Sequence, residues 1–168
     1  MIHFTEENLE RVNEIISHYP EGKQKSALIP ILHIAQTQFD NWLDASVMDY
    51  IAEILSIKPI EVYEVASFYW MFNLKPVGKY VLEVCRTGPC MLRGSDEIIE
   101  YIEEKLDIKD GETTKDGLFT LKCAECLGAC GYAPMMQLGE IYKENLTIGK
   151  VDEIIDELRN HHEKLAKV

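Results

Sequence analysis

The sequence predicts two domains of different class: a helical bundle over residues 1–76, then a small α/β domain over residues 77–168. Three observations predict it. Apolar residues recur at helical spacing from Val12 to Trp70. The segment Leu74-Lys75-Pro76-Val77-Gly78 then breaks that period. Beyond it, short apolar runs of strand length alternate with further helical stretches. With 168 residues, 46% of them apolar, the chain can bury a core in each part.

The elements follow in order. Thr5 is placed to cap a first helix through Val12, Ile15 and Ile16, with Phe4 stapled onto Leu9. Pro20-Glu21-Gly22 ends it. Ala27, Leu28, Ile31, Leu32 and Ile34 mark a second helix. Ser46 is the expected cap of a third, carrying Met48, Ile51, Ile54 and Leu55. Pro59 suits the first turn of a fourth, where its missing N–H costs nothing, with Ile60, Tyr63, Ala66 and Trp70 on its face. Past the break, Tyr80–Val84 reads as a buried strand running into Cys85. Ser95 is the expected cap of a helix with Ile98, Ile99, Ile102 and Leu106. Asp116-Gly117 turns the chain into a strand over Leu118–Leu121. Short strands over Met135–Leu138 and Ile141-Tyr142 precede a final helix with Val151, Ile154, Ile155 and Leu158 on one face.

Composition excludes several classes. The formal net charge is -12, spread evenly, with -6 in each part. Nucleic-acid binding and attachment to an anionic membrane both need a basic footprint that the sequence lacks. No run reaches the ~18–20 apolar residues of a membrane span. The opening residues Met1–Glu7 lack the basic flank and apolar run of a signal peptide. The expectation is a cytoplasmic protein. In a reducing compartment clustered cysteines point to metal or redox chemistry rather than disulfides.

The five cysteines form two groups in the second part. Cys85 and Cys90 enclose Arg86-Thr87-Gly88-Pro89. Cys123, Cys126 and Cys130 follow the second strand. Two close pairs from separate loops are a natural source of the four thiolates that iron–sulfur clusters commonly take. Gly88, Gly94, Gly128 and Gly131 would let main-chain N–H groups approach the sulfurs. Structural zinc fits the same spacing. The Cys123-Ala124-Glu125-Cys126 run also matches a dithiol redox motif, although it runs on to a further cysteine. Simple burial is the plainest alternative for any one thiol. Spacing supports a four-thiolate metal site and leaves the metal open.

At these residues the chain resembles the thioredoxin-like [2Fe–2S] ferredoxins, the family of the small subunit in the NADH-oxidising module of respiratory complex I. Phe68-Tyr69 and the run Phe72-Asn73-Leu74-Lys75-Pro76-Val77-Gly78-Lys79-Tyr80 resemble the family's lead-in. Cys85, Cys90 and Met91-Leu92-Arg93-Gly94-Ser95 resemble its first cluster loop. Glu125-Cys126-Leu127-Gly128-Ala129-Cys130 with Ala133-Pro134 resembles its second. The resemblance covers most of the chain. It implies a thioredoxin-like C-terminal domain and a [2Fe–2S] cluster on Cys85, Cys90, Cys126 and Cys130. It also implies a partner flavoprotein subunit that holds FMN and the NADH site, with further iron–sulfur subunits beyond. Similar subunits serve NAD-linked hydrogenases and formate dehydrogenases. Cys123 matches no ligand position of the family, and a buried strand cysteine is its favoured reading. Gly139-Glu140 replaces an asparagine common in the family.

No G-x-G-x-x-G fingerprint or P-loop occurs, so binding of NAD or a nucleotide by those routes is not expected. The expected activity is one-electron transfer beside a flavin, without turnover by the chain alone. Any contact with the inner face of the cell membrane would be made through partner subunits, with no direct insertion. Tyr63, Phe68, Tyr69, Trp70 and Phe72 form an aromatic stretch that core packing explains first and a subunit interface second.

Overall fold

The computed structural model describes residues 2–165. The chain divides into two compact units, Met1–Pro76 and Val77–Val168.

The first unit is built from four helices, α1 (Glu6–Ser17), α2 (Leu28–Gln38), α3 (Ala45–Leu55) and α4 (Pro59–Phe68), with a 3₁₀ turn at Gln24–Ala27. Thr5 caps α1 by accepting the Asn8 N–H at 3.3 Å. The local staple is replaced by a tertiary anchor: Phe4 is buried against Phe39 and Tyr50, while Leu9 stays exposed. Asp44, not Ser46, caps α3, because its carboxylate accepts the Val47 N–H at 2.7 Å and the Ser46 hydroxyl at 2.6 Å. Pro59 opens α4 as expected, but the buried face of that helix carries Val62 and Ala66. Ile60 and Phe68 point outward, and Trp70 lies beyond the helix end, half-exposed. The core is formed by Val12, Leu28, Ile31, Leu32, Ile51 and Leu55 with their neighbours. The segment after α4 is pinned to it by polar contacts. Gln36 accepts the Asn73 N–H at 2.6 Å, and the Asn73 amide donates to the Asn41 carbonyl at 2.9 Å.

The second unit contains β1 (Tyr80–Cys85), α5 (Gly88–Leu92), α6 (Ser95–Leu106), β2 (Phe119–Ala124), β3 (Met136–Leu138), β4 (Ile141–Lys143) and α7 (Ile148–Leu165). The strands form one mixed sheet in the order β2-β1-β3-β4. β1 and β2 are parallel, β1 and β3 antiparallel, and β3 and β4 make a hairpin. Leu82, Val84, Phe119 and Leu121 share a core with Ile98 and Ile102 of α6 and Val151 and Ile155 of α7. Glu83 and Lys122 fall at the alternate positions of their strands.

Gly78 explains how the chain enters this sheet. A Cβ there would lie 2.8 Å from the Phe119 carbonyl carbon. Its N–H instead reaches the Thr120 hydroxyl at 2.6 Å. The first cysteine loop, expected as irregular chain, contains the short helix α5. Gly94 in left-handed geometry (φ 91°), rather than Ser95, precedes α6. Ser95 is the first helical residue, wholly buried, and its hydroxyl has no hydrogen-bond partner among the described residues. Among the described residues no helix is long and apolar enough to cross a membrane.

Candidate metal centre

Parallel neighbouring strands end at the same edge of a sheet, and this brings the two thiol loops together. Cys85 is the last residue of β1, and its register partner is Ala124, the last of β2. The Arg86 N–H donates to the Ala124 carbonyl at 3.0 Å and carries the pairing one residue further. From this edge the first loop turns into α5. Thr87 precedes that helix, Pro89 occupies its first turn, and the Cys90 N–H donates to the Thr87 carbonyl at 2.9 Å. The second loop leaves β2 at Glu125 and ends in a 3₁₀ turn over Cys130–Tyr132.

Cys85 and Cys90 are buried in a small core of their own with Ala133 and Met135. Leu127 and Ala129 of the second loop pack against it. Tyr142 holds that loop from β4 by donating its hydroxyl to the Leu127 carbonyl at 2.6 Å. Cys126 and Cys130 are exposed. Among the described residues no three histidine, cysteine, aspartate or glutamate side chains close on one point.

Burial pushes the Cys85 thiol up, but hydrogen bonds overcome it. The Thr87 N–H and hydroxyl, the Leu127 N–H and the Cys90 thiol all face its sulfur, and its pKa falls below the ordinary value. Cys90 moves the other way, to about 11. Burial is the main cause, followed by its hydrogen bond to Cys85 and that sulfur's charge; the Met135 N–H opposes and the charge of Cys130 adds. Main-chain donors thus favour negative charge on the Cys85 sulfur, while burial disfavours it on Cys90.

Cys123 lies inside β2, buried, at the register position of Val84. Its N–H donates to the Asp110 carboxylate at 2.8 Å. Burial, with the charge of Asp110 and a hydrogen bond to it, pushes the Cys123 thiol up to about 12.

Arg86 connects the surroundings. Its guanidinium donates to one carboxylate oxygen of Glu125 from Nη2 at 2.7 Å and from Nε at 3.3 Å. Nη1 lies 3.8 Å from Asp110. The Thr87 hydroxyl donates to the Glu125 carbonyl. In the sequence Glu125 reads as a lone carboxylate, and nothing there assigns a role to Arg86, Asp110 or Tyr142. Asp110 is 13 residues from Cys123 and Tyr142 is 15 from Leu127, so no short-range pattern marks either one.

Two loops presenting four thiols, with main-chain N–H groups already aimed at the buried sulfurs, suit a thiolate-bound iron–sulfur cluster. The family model for the thioredoxin-like [2Fe-2S] ferredoxins matches residues 12–159. A subunit of the NADH-quinone oxidoreductase of Rickettsia conorii is 49% identical over 157 residues, covering 94% of each chain. The mitochondrial NADH dehydrogenase [ubiquinone] flavoprotein 2 of Dictyostelium discoideum is 47% identical over 158 residues, 94% of this chain and 64% of that one. Among solved structures, an NAD+-reducing [NiFe]-hydrogenase in the air-oxidized state superposes with a TM-score of 0.69 at 21% identity. That match covers 80% of this chain and 23% of the hydrogenase chain, and it concerns the fold alone. The family implies a [2Fe–2S] cluster as cofactor. By a family match over most of its length and by close relatives matched nearly end to end, the chain belongs to the thioredoxin-like [2Fe–2S] ferredoxins.

Proposed function

We propose that Cys85, Cys90, Cys126 and Cys130 hold one [2Fe–2S] cluster, and that the chain passes electrons singly within an NADH–quinone oxidoreductase. The observation that carries the reading is the packing of the second loop on the first. Leu127 and Ala129 lie against the buried Cys85–Cys90 pair, and the Leu127 N–H faces the Cys85 sulfur. A two-iron cluster takes two thiolates on each iron, so it asks a chain for two facing pairs. The Rickettsia conorii and Rickettsia bellii relatives, both named as NADH-quinone oxidoreductase subunits and each matched over 94% of its length, support the parent complex.

When bound, the cluster supplies a site that takes up and releases one electron. The chain's own residues set how readily. Main-chain N–H groups of Thr87, Leu127 and Met135 stabilise negative charge on sulfur and favour reduction. Burial of Cys85 and Cys90 opposes it. Cys123 stays outside the ligand set in this reading, because it lies buried within β2 at the register position of Val84 rather than on either thiol loop.

Residues 77–168 form the cluster domain in this scheme and residues 1–76 a helical extension. The electron donor in this reading is a flavoprotein subunit bearing FMN and the NADH site, as the resemblance to the family implies. Further iron–sulfur subunits carry the electron onward, and any membrane attachment comes through partners.

The test is anaerobic purification with iron, sulfide and zinc counted and low-temperature EPR recorded. About two iron and two sulfide per chain, with a signal only after reduction, are expected. Loss of both in Cys126→Ser and retention in Cys123→Ser would support the ligand set. A colourless chain with one zinc would replace it with a structural zinc site.

A further inference from the structure

The second thiol loop is mostly exposed from Glu125 to Tyr132, and Gly128 within it has left-handed geometry (φ 77°). Such a segment does not hold its own shape and depends on its anchors. One anchor is Tyr142, bonded to the Leu127 carbonyl. The other lies at the base of the loop, where residues 86 and 87 grip residues 124 and 125 through both main chain and side chains.

We infer that Arg86 is a positioning residue: seated beside Cys85, it holds the carboxylate beside Cys126 and so sets the spacing between the two thiol loops. This role rests on the proposed ligand set. Arg86 follows Cys85 directly, and Glu125 precedes Cys126 directly, so each charged side chain is one residue from a proposed ligand. The guanidinium is planar and rigid, and here two of its nitrogens converge on one oxygen, which fixes direction as well as distance. Asp110, 3.8 Å away, flanks it on another loop and steadies the guanidinium from a second direction. The main-chain bond from Arg86 N–H to Ala124 fixes the base of the same arrangement.

Half of the Arg86 side chain and more of Glu125 face solvent. An ion pair of this kind adds little to global stability. Its effect is expected where the loop must hold a fixed geometry, and neighbours that orient metal ligands matter there out of proportion to their stability.

The experiment uses the full chain and four variants: Arg86→Gln, Glu125→Gln, the double variant, and the swapped pair Arg86→Glu with Glu125→Arg. Two readouts are taken. The first is amide hydrogen exchange over residues 125–130 in the chain without its cluster. The second is the rate of iron loss to a chelator from the loaded chain, with the EPR g-values recorded. Each single variant should exchange faster in this loop and lose iron about tenfold faster, with shifted g-values. The double variant should be no worse than either single one, since the two residues act through one contact. The swapped pair should recover most of the loss. Thermal midpoints should stay close to the parent's. Unchanged exchange and iron loss in Arg86→Gln would overturn the inference, and so would single effects that multiply in the double variant. A chain that takes up no iron would instead sink the ligand assignment, and the exchange readout would still decide the role of Arg86.

Discussion

Glu83 and Lys122 stand opposite each other across the parallel β1–β2 pair, their charged groups 3.7 Å apart and 15% of each side chain exposed. Burial works against both charges. It raises the Glu83 carboxyl and lowers the Lys122 ammonium, and the attraction between them offsets this only in part. Removing Lys122 leaves the Glu83 carboxylate largely buried without this counter-charge. Lys122→Met is expected to cost about 2 kcal/mol of stability. Replacing both by apolar residues of similar size should recover most of that. Urea unfolding of the two variants checks it, and equal losses in both would refute the pairing argument.

The same pair predicts a pH dependence. A carboxyl whose folded pKa is raised binds its proton more tightly in the folded state. The folded chain then holds more protons than the unfolded one between the two values, so this contribution to stability falls as pH rises through that window. Relative to Glu83→Gln, the parent should lose stability as pH rises from about 4 toward neutrality. Urea midpoints of both proteins across that range give the difference directly. A constant difference would mean that Glu83 titrates normally.

Asp44 shows the opposite sign. Hydrogen bonds from the Ser46 hydroxyl and the Val47 N–H hold its carboxyl below the ordinary range. The stability it contributes is full above that range and is lost as pH falls through the lowered value. Asp44→Ala should cost about 1 kcal/mol at neutral pH, while Asp44→Ser keeps most of it. Thermal unfolding at neutral pH compares them.

Gly78→Ala should destabilise the second unit by about 2 kcal/mol or more, because the new methyl would press on the main chain of Leu118 and Phe119, which cannot rotate away. Urea unfolding followed by far-UV circular dichroism measures it. A loss under half that size would show that the strand shifts freely.

Cys123 should alkylate much more slowly than Cys126 and Cys130 in the chain without its cluster. It is buried and pushed up to about 12, whereas Cys126 and Cys130 are exposed. Mass spectrometry after brief iodoacetamide treatment at about pH 8 should find Cys126 and Cys130 modified first, with Cys123 reacting only in denaturant. Early labelling of Cys123 would remove the argument for excluding it from the ligand set.

Legibility in the sequence followed how local each signal is. The helices α1 to α4, the strand into Cys85 and the final helix are readable, because their period lies within one segment of chain. The differences gather where two neighbours compete for one role. Asp44 displaces Ser46 as a cap because an ionised acceptor two residues earlier takes the Val47 N–H. Gly94 displaces Ser95 because the short helix α5 ends in a turn that needs left-handed geometry. Trp70 continues the period of α4, yet the helix stops at Phe68.

Alone, the sequence determined the order of structural classes and, through its resemblance to the family, pointed to four candidate thiols, since period, motif and cysteine spacing are all properties of the chain in one dimension. Only the tertiary structure decided that Cys123 sits under Asp110, that Arg86 grips Glu125, and that the Leu127 N–H turns toward Cys85. The last two join residues far apart in sequence, and they depend on β1 and β2 running parallel so that their ends, and the loops they launch, arrive at one edge.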